Sequence, residues 1–211
     1  MIMSGRTAVA LLVLMALATP SDAQHDGPLY AGGTFTAFTQ THSDTQPLGG
    51  TTWNGSVFVG GWVSPRLAIE FEPAWGRTFS WEYSYRPGPS STADVVASRR
   101  DTFWAAQVRT RVGVVEPVFG LAYMHTNLQR HATIAGRPYF DDAQINNGVA
   151  GVLGLDAPVK IAPHIYLLPT FRLLLNFGPV SEPSGSSDPF RAQTSAGRLL
   201  FRYGAGARVT F

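Results

Sequence analysis

The chain has 211 residues; only 14% are charged, 12% are aromatic and 22 are glycine, a makeup that suits twisted sheet with close contacts more than helix. It contains no cysteine, which excludes disulfides and thiolate metal or redox sites. Its net charge of +2 comes without the dense basic patch of a nucleic-acid binder, so nucleic acid is excluded as a partner.

The opening stretch MIMSGRTAVALLVLMALATPSDAQ sets Arg6 before an apolar run from Ala8 to Ala18, then offers Ser21 and Ala23 where a signal peptidase reads small residues. This is the pattern of a secretory signal over residues 1–23, too short to span a membrane and broken as a helix by Pro20. The mature chain is expected to begin at Gln24 and to form one domain over residues 24–211. Past the signal no apolar run reaches the roughly 18 to 20 residues of a transmembrane helix, so any membrane contact falls to strands.

Apolar and polar residues alternate along the whole mature chain, interrupted by stretches rich in Ser, Thr, Pro, Gly, Asn and Asp. Eight strands are predicted, over 29–40, 54–63, 66–83, 101–114, 117–128, 145–155, 164–177 and 194–211. The third is the clearest: Leu67, Ile69, Phe71, Trp75, Phe79, Trp81 and Tyr83 share one parity, and Ala68, Glu70, Glu72, Ala74, Gly76 and Ser80 the other. In the fourth, Trp104, Ala106, Val108 and Val112 oppose Gln107, Arg109 and Arg111; in the seventh, Ile165, Leu167, Phe171, Leu173, Leu175 and Phe177 oppose Thr170, Arg172 and Asn176. The closing LLFRYGAGARVTF sets Leu199, Phe201, Tyr203, Ala205, Ala207, Val209 and Phe211 against Leu200, Arg202, Gly204, Gly206, Arg208 and Thr210. Strands one, two, five and six are rich in Gly, Ala and Thr on both faces and leave their inward parity open.

Connections alternate in length. SPR, VEP and the moderate DAPVKIAP join strands two to three, four to five and six to seven, whereas residues 41–53, 84–100, 129–144 and 178–193 are expected as long polar loops. Short turns on one rim and long loops on the other make an up-and-down meander with both chain ends on the short-turn rim. A soluble lipocalin-like barrel would turn its apolar face inward around a ligand. Here the polar parity carries few charges, mostly arginine, interleaved with Gly and Ala as in a narrow interior. The apolar parity sets Trp75, Trp81, Tyr83, Trp104 and Tyr203 towards strand ends, as in the aromatic girdles of a bilayer barrel. The expected fold is therefore all-β: an eight-stranded antiparallel up-and-down transmembrane β-barrel, whose closure leaves no unpaired edge in lipid.

In this pattern, over essentially the entire mature chain, the sequence resembles the small outer-membrane β-barrel proteins of Gram-negative-type bacteria, such as the OmpA membrane domain and OmpX. The resemblance is strongest at the ending, where Phe201, Tyr203, Ala205, Ala207, Val209 and Phe211 stand in the positions of the terminal strand that the outer-membrane assembly machinery reads in that family. It implies a monomer in the bacterial outer membrane, in contact with outer-membrane lipid and lipopolysaccharide. Unlike longer OmpA-type proteins, the chain stops at Phe211, so no peptidoglycan-binding domain is expected.

The polar parity supplies an interior charge cluster of Glu70, Glu72, Arg109, Arg111, Arg172, Arg198, Arg202 and Arg208, with Gln107 beside it. Charges in a narrow barrel must be paired or hydrated, so glutamate-to-arginine pairing across the lumen is expected, forming a plug. Because arginines outnumber the two glutamates, a narrow channel or anion conduit is the alternative. A lipid-modifying enzyme is a second alternative: eight-stranded lipid A deacylases use a His-x-Ser pair, but two residues beyond His125 stands Asn127, and Thr126 points the other way. No catalytic residue, cofactor or metal site is therefore assigned; His42 with Asp44, and His131 with Asp141 and Asp142, have no diagnostic spacing. Arg86, Arg99, Arg100, Arg130, Arg137 and Arg191 are expected in the long loops, near the phosphates of lipopolysaccharide. The function expected is non-enzymatic, structural or surface-interacting.

Overall fold

A computed structural model of the chain describes residues 27–40, 51–88, 90–177 and 199–211. These form strands β1 (Leu29–Gln40), β2 (Thr51–Ser64), β3 (Leu67–Gly76), β4 (Phe79–Gly88), β5 (Ser91–Thr110), β6 (Glu116–Ile134), β7 (Arg137–Asp156), β8 (Val159–Ala162), β9 (Ile165–Asn176) and β10 (Leu199–Thr210). Every pairing is antiparallel, and β1, β2, β3, β5, β6, β7, β9 and β10 close into a ring. β10 makes the seam: it pairs with β1 from Tyr30↔Thr210 to Gln40↔Leu200, and with β9 from Leu199↔Leu175 to Val209↔Ile165. The eight-stranded up-and-down barrel expected from the alternation is thus formed.

Period-two sequences drive the ring because each strand buries one parity and exposes the other. On β5, Ala105, Gln107 and Arg109 are buried while Trp104 and Val108 are exposed; on β10, Leu200, Arg202 and Arg208 are buried while Tyr203 and Val209 are exposed. The outside is a continuous apolar belt including Val57, Val59, Ile69, Phe71, Phe119, Leu121 and Leu153. Aromatic rings pack within it, with Phe35 stacked on Trp53 at 5.0 Å and Trp104 against Tyr123 at 5.8 Å between centroids. Among the described residues no helix is long and apolar enough to cross a membrane.

Two of the four expected loops are strand instead. Most of residues 84–100 and 129–144 continues β4, β5, β6 and β7 above the ring, where β4 pairs with β5 up to Gly88↔Ser91 and β6 with β7 up to Ile134↔Arg137. The result is a raised four-stranded sheet, β4-β5-β6-β7. Its strands read as loops because outside a bilayer the exposed face takes Ser, Thr, Asp, Gln and Arg freely, which erases the hydrophobic alternation. The turn at Ala135 and Gly136 takes positive φ at both residues (49° and 74°), the primed geometry that matches hairpin twist. Residues 41–50 and 178–198 lie outside the described part, as does the expected signal.

The expected third strand is also divided. Trp75 pairs with Thr102, but Phe79 pairs with Arg99, so one residue is absorbed at Arg77–Thr78 and the parity reverses between β3 and β4. Trp81 and Tyr83 belong to β4, above the ring, and not to the strand that carries Trp75. On the opposite rim the connection after β7 is an extension of the sheet: β8 pairs with β9 from Val159↔Leu167 to Ala162↔Ile165, leaving only Pro163 and His164 as the turn.

Candidate functional site

The inward parities of β3, β5, β6, β7, β9 and β10 converge on a buried ionic network. Arg109, with no exposed surface, donates through Nη2 to Glu70 Oε2 (2.8 Å) and through Nη1 to Glu116 Oε2 (3.0 Å) and to Asp156. Arg172 grips Asp156 with two parallel bonds of 2.5 and 2.9 Å and also donates to the Thr170 hydroxyl (2.8 Å). Arg208 does the same to Glu116 at 2.6 and 3.1 Å. One layer further from the short-turn rim, Arg202 donates to Glu72 Oε1 (2.8 Å) and Gln107 to Glu72 Oε2 (2.6 Å). Arg111 reaches Glu116 at 3.6 Å from the rim, where its side chain is 21% exposed, and lies over the Trp62 ring at 4.5 Å. Forked arginine-to-carboxylate bonds are the strongest of their kind and hold both partners in a fixed plane.

Small neighbours make room for these long side chains. A Cβ at Gly154, which faces Arg172 in register, would come within 2.6 Å of its Cδ. A Cβ at Gly60 would meet the Tyr30 ring at 2.4 Å, and that ring lies under the Arg208 guanidinium at 5.3 Å. Towards the short-turn rim Tyr30, Phe58, Ala68 and Leu168 close the base.

The interior is not polar throughout. Phe38, Ala74, Phe103, Ala105, Ala122, Met124, Ala150, Val152, Leu174 and Leu200 form a buried apolar cluster beside the network, with Phe38 edge-on to Phe103 at 5.4 Å. Near the raised sheet a second polar group follows: Arg99 donates to Asp101 through Nε and Nη2 (3.0 and 2.8 Å), and the Thr126 hydroxyl donates to the same carboxylate (2.6 Å). Arg99 and Arg130, expected as loop charges, are buried here because their strands run on above the ring.

Of the cluster named from sequence, Glu70, Glu72, Arg109, Arg172, Arg202 and Arg208 are brought together, Arg111 joins at the rim, and Arg198 lies outside the described residues. Two members were missed, Glu116 and Asp156. Both stand next to turn-forming prolines, in VEP and DAP, where the sequence pattern predicts a turn. Their parity was the available signal: Glu116 shares it with Val118 and Ala122, and Asp156 with Val152 and Ala150, all buried. Adding them reduces the expected arginine excess: Glu70, Glu72, Glu116 and Asp156 face Arg109, Arg172, Arg202 and Arg208, with Arg111 as a fifth arginine at the rim.

The other marked residues stay apart. His125 points outward and its Nδ1 is 2.8 Å from Asn147 Oδ1; Thr102 stands opposite it in register on β5. His131 Nδ1 lies 2.8 Å from Asp141 Oδ1 on the outer side of the raised sheet, and among the described residues no three metal-ligating side chains converge. His42 and Asp44 fall outside the described residues. On β10, Tyr203, Ala205, Ala207 and Val209 are exposed on the outer face and Phe201 is half-buried there, against Phe171; Phe211, just past the strand, is exposed too. The Phe211 N–H donates to the Leu29 carbonyl (3.0 Å).

No family's sequence signature matches the chain, and no curated protein matches it in sequence. Solved structures do match in fold. Ail, the attachment invasion locus protein of Yersinia pestis, aligns in its complex with the heparin analogue sucrose octasulfate over 88% of this chain and 99% of its own, with a TM-score of 0.56 and 9% identity. A second crystal structure of Ail aligns over the same shares with a TM-score of 0.52 and 7% identity. Neisserial surface protein A aligns over 87% of this chain and 97% of its own at 13% identity, with a TM-score of 0.41. At these identities the likeness to Ail is one of fold alone.

Proposed function

We propose that this protein is a bacterial outer-membrane β-barrel with a structural or surface-interaction role and no enzymatic activity, exported by a signal cleaved before Gln24. The observation that carries the reading is the sidedness of the ring. Its outside is apolar around the whole circumference, while its inside is filled by a paired ionic network, an apolar layer and a second ionic group. A closed ring satisfies its own backbone and can sit in hydrocarbon, and an eight-stranded interior is only wide enough for its side chains. The raised sheet β4-β5-β6-β7 then stands outside the cell and offers the surface for partners. The short turns face the periplasm, and β10, with Phe201, Tyr203, Ala205, Ala207, Val209 and Phe211 outward, serves as the strand that the assembly machinery reads.

The direct pairing of Arg109, Arg172, Arg202 and Arg208 with buried carboxylates favours a plug over a conduit, because a conduit for anions needs unpaired positive charge along its length. Planar-bilayer recording of the purified protein tests this. The expected result is no steady open-channel current; large, stable conductance from the wild-type protein would overturn the plugged reading.

A further inference from the structure

Arg66, Arg77, Arg86, Arg100 and Arg137 are exposed outside the interior pairing, and two of them are neighbours. Arg77 follows the end of β3 and Arg100 lies on β5; the registers Trp75↔Thr102 below and Phe79↔Arg99 above bring them to adjacent strands at one height. Both are exposed on the outer wall, and among the described residues neither is ion-paired with a carboxylate. Arg77 is fixed in the wall, since its N–H donates to the Trp53 carbonyl at 2.9 Å. Like charges on neighbouring strands repel, so this spot gains from an anion held between the two guanidinium groups.

The height of the pair says where that anion comes from. Towards the short-turn rim, exposed Trp75 stands two residues before Arg77 and exposed Trp104 four residues after Arg100. Arg100 is twelve residues along the strand path from exposed Val112 at the short-turn rim. At about 3.3 Å per residue and a tilt near 40°, twelve residues climb about 30 Å, against an apolar band about 25 Å tall. The arginines therefore stand just above the band, level with lipid headgroups.

We propose that Arg77 and Arg100 form a binding site for the phosphate of an anionic outer-leaflet lipid, each offering its planar fork to the phosphate oxygens. The proposal rests on the membrane-spanning reading above. It is tested by refolding the purified protein, R77Q/R100Q, R77K/R100K and R66Q into phosphatidylcholine vesicles with and without phosphatidylglycerol, extracting gently, and counting retained lipid by native mass spectrometry. Arg66, exposed in the turn on the opposite rim, is the control for general charge.

Wild type and R66Q should retain phosphatidylglycerol, R77Q/R100Q should lose at least about tenfold in affinity for it, and R77K/R100K should fall between. Should the paired glutamine variant not fold, the single variants R77Q and R100Q carry the same comparison. Equal retention by R77Q/R100Q and wild type, or equal loss in R66Q, would overturn the site. Displacement of the lipid by millimolar inorganic phosphate would make the occupant a free anion and overturn the lipid assignment. Failure of the wild type to insert even into pure phosphatidylcholine would instead remove the membrane reading on which the proposal depends.

Discussion

Arg109→Met is the substitution whose outcome the interior network defines most sharply. It removes a guanidinium shared by three carboxylates, but those three do not suffer equally. Asp156 keeps the two-bond grip of Arg172 and Glu116 keeps that of Arg208. Glu70 loses the partner of its Oε2, and its Oε1 has no protein hydrogen bond to fall back on. Stranding one buried charge costs about 3–5 kcal/mol. Adding Glu70→Gln removes the stranded charge and leaves Glu72, Glu116 and Asp156 facing Arg172, Arg202 and Arg208. The double variant should therefore be more stable than R109M alone, with a coupling of roughly 1–3 kcal/mol. Urea titration of protein refolded in vesicles, followed by tryptophan fluorescence and by the faster gel migration of unboiled barrels, gives the ordering. A double variant no more stable than R109M would refute the idea that Glu70 is the charge left behind. So would a loss below about 1 kcal/mol in R109M itself, because a network holding the barrel cannot lose its centre so cheaply.

Three other outcomes follow from the same geometry. Phe201→Arg sets a charge on the outer face of β10 and should cost roughly 2–4 kcal/mol near the bilayer midplane, whereas Phe201→Leu keeps that face apolar and should cost less than about 1.5 kcal/mol; wild-type stability of Phe201→Arg in the same titration would mean that this strand's faces are misassigned. Gly154→Ala drives a methyl group into the aliphatic part of Arg172, which two bonds to Asp156 hold in place, and should destabilise by about 1–3 kcal/mol; wild-type stability would show that Arg172 is free to move. Trypsin added to intact cells should leave the bond after Arg66 uncut although that turn is exposed, and should cut it once the outer membrane is permeabilised; cutting in intact cells would invert the barrel.

The ring was legible where each face met a different medium. On β3, β5, β9 and β10 the lipid face is aliphatic or aromatic and the inner face carries Glu, Gln, Thr or Arg, so parity alone separates them. It failed where that contrast vanishes. Above the ring, water bathes the outer face of β4 to β7, and the alternation needed to distinguish strand from loop is gone. Inside, Phe38, Met124, Leu174 and Leu200 occupy inward positions with residues as apolar as those outside, so only strands with a charged neighbour on the same parity revealed their direction. Glu116 and Asp156 show a third limit: a charge beside proline reads as a turn, while tertiary pairing with Arg208 and Arg172 draws the strand end past it.

The sequence separations in the network bear on how the barrel is made. Arg172 meets Asp156 over 16 positions, within neighbouring strands, but Arg202 and Glu72 are 130 apart and Arg208 and Glu116 are 92 apart. Contacts of such long range form late and slow the search for the native state. A nascent sheet running from β1 to β9 holds Glu72 without its cation and Glu116 with only part of its positive surroundings. The last strand then delivers two backbone ladders and two compensating charges in one step. Seam closure and charge neutralisation are the same event, so a misregistered β10 would leave carboxylates unanswered inside the lumen as well as backbone groups unpaired at its edge. Peeling that strand away must likewise separate Arg202 from Glu72 and Arg208 from Glu116 in a medium that solvates ions poorly, so the ion pairs add to what the backbone ladders hold at the seam.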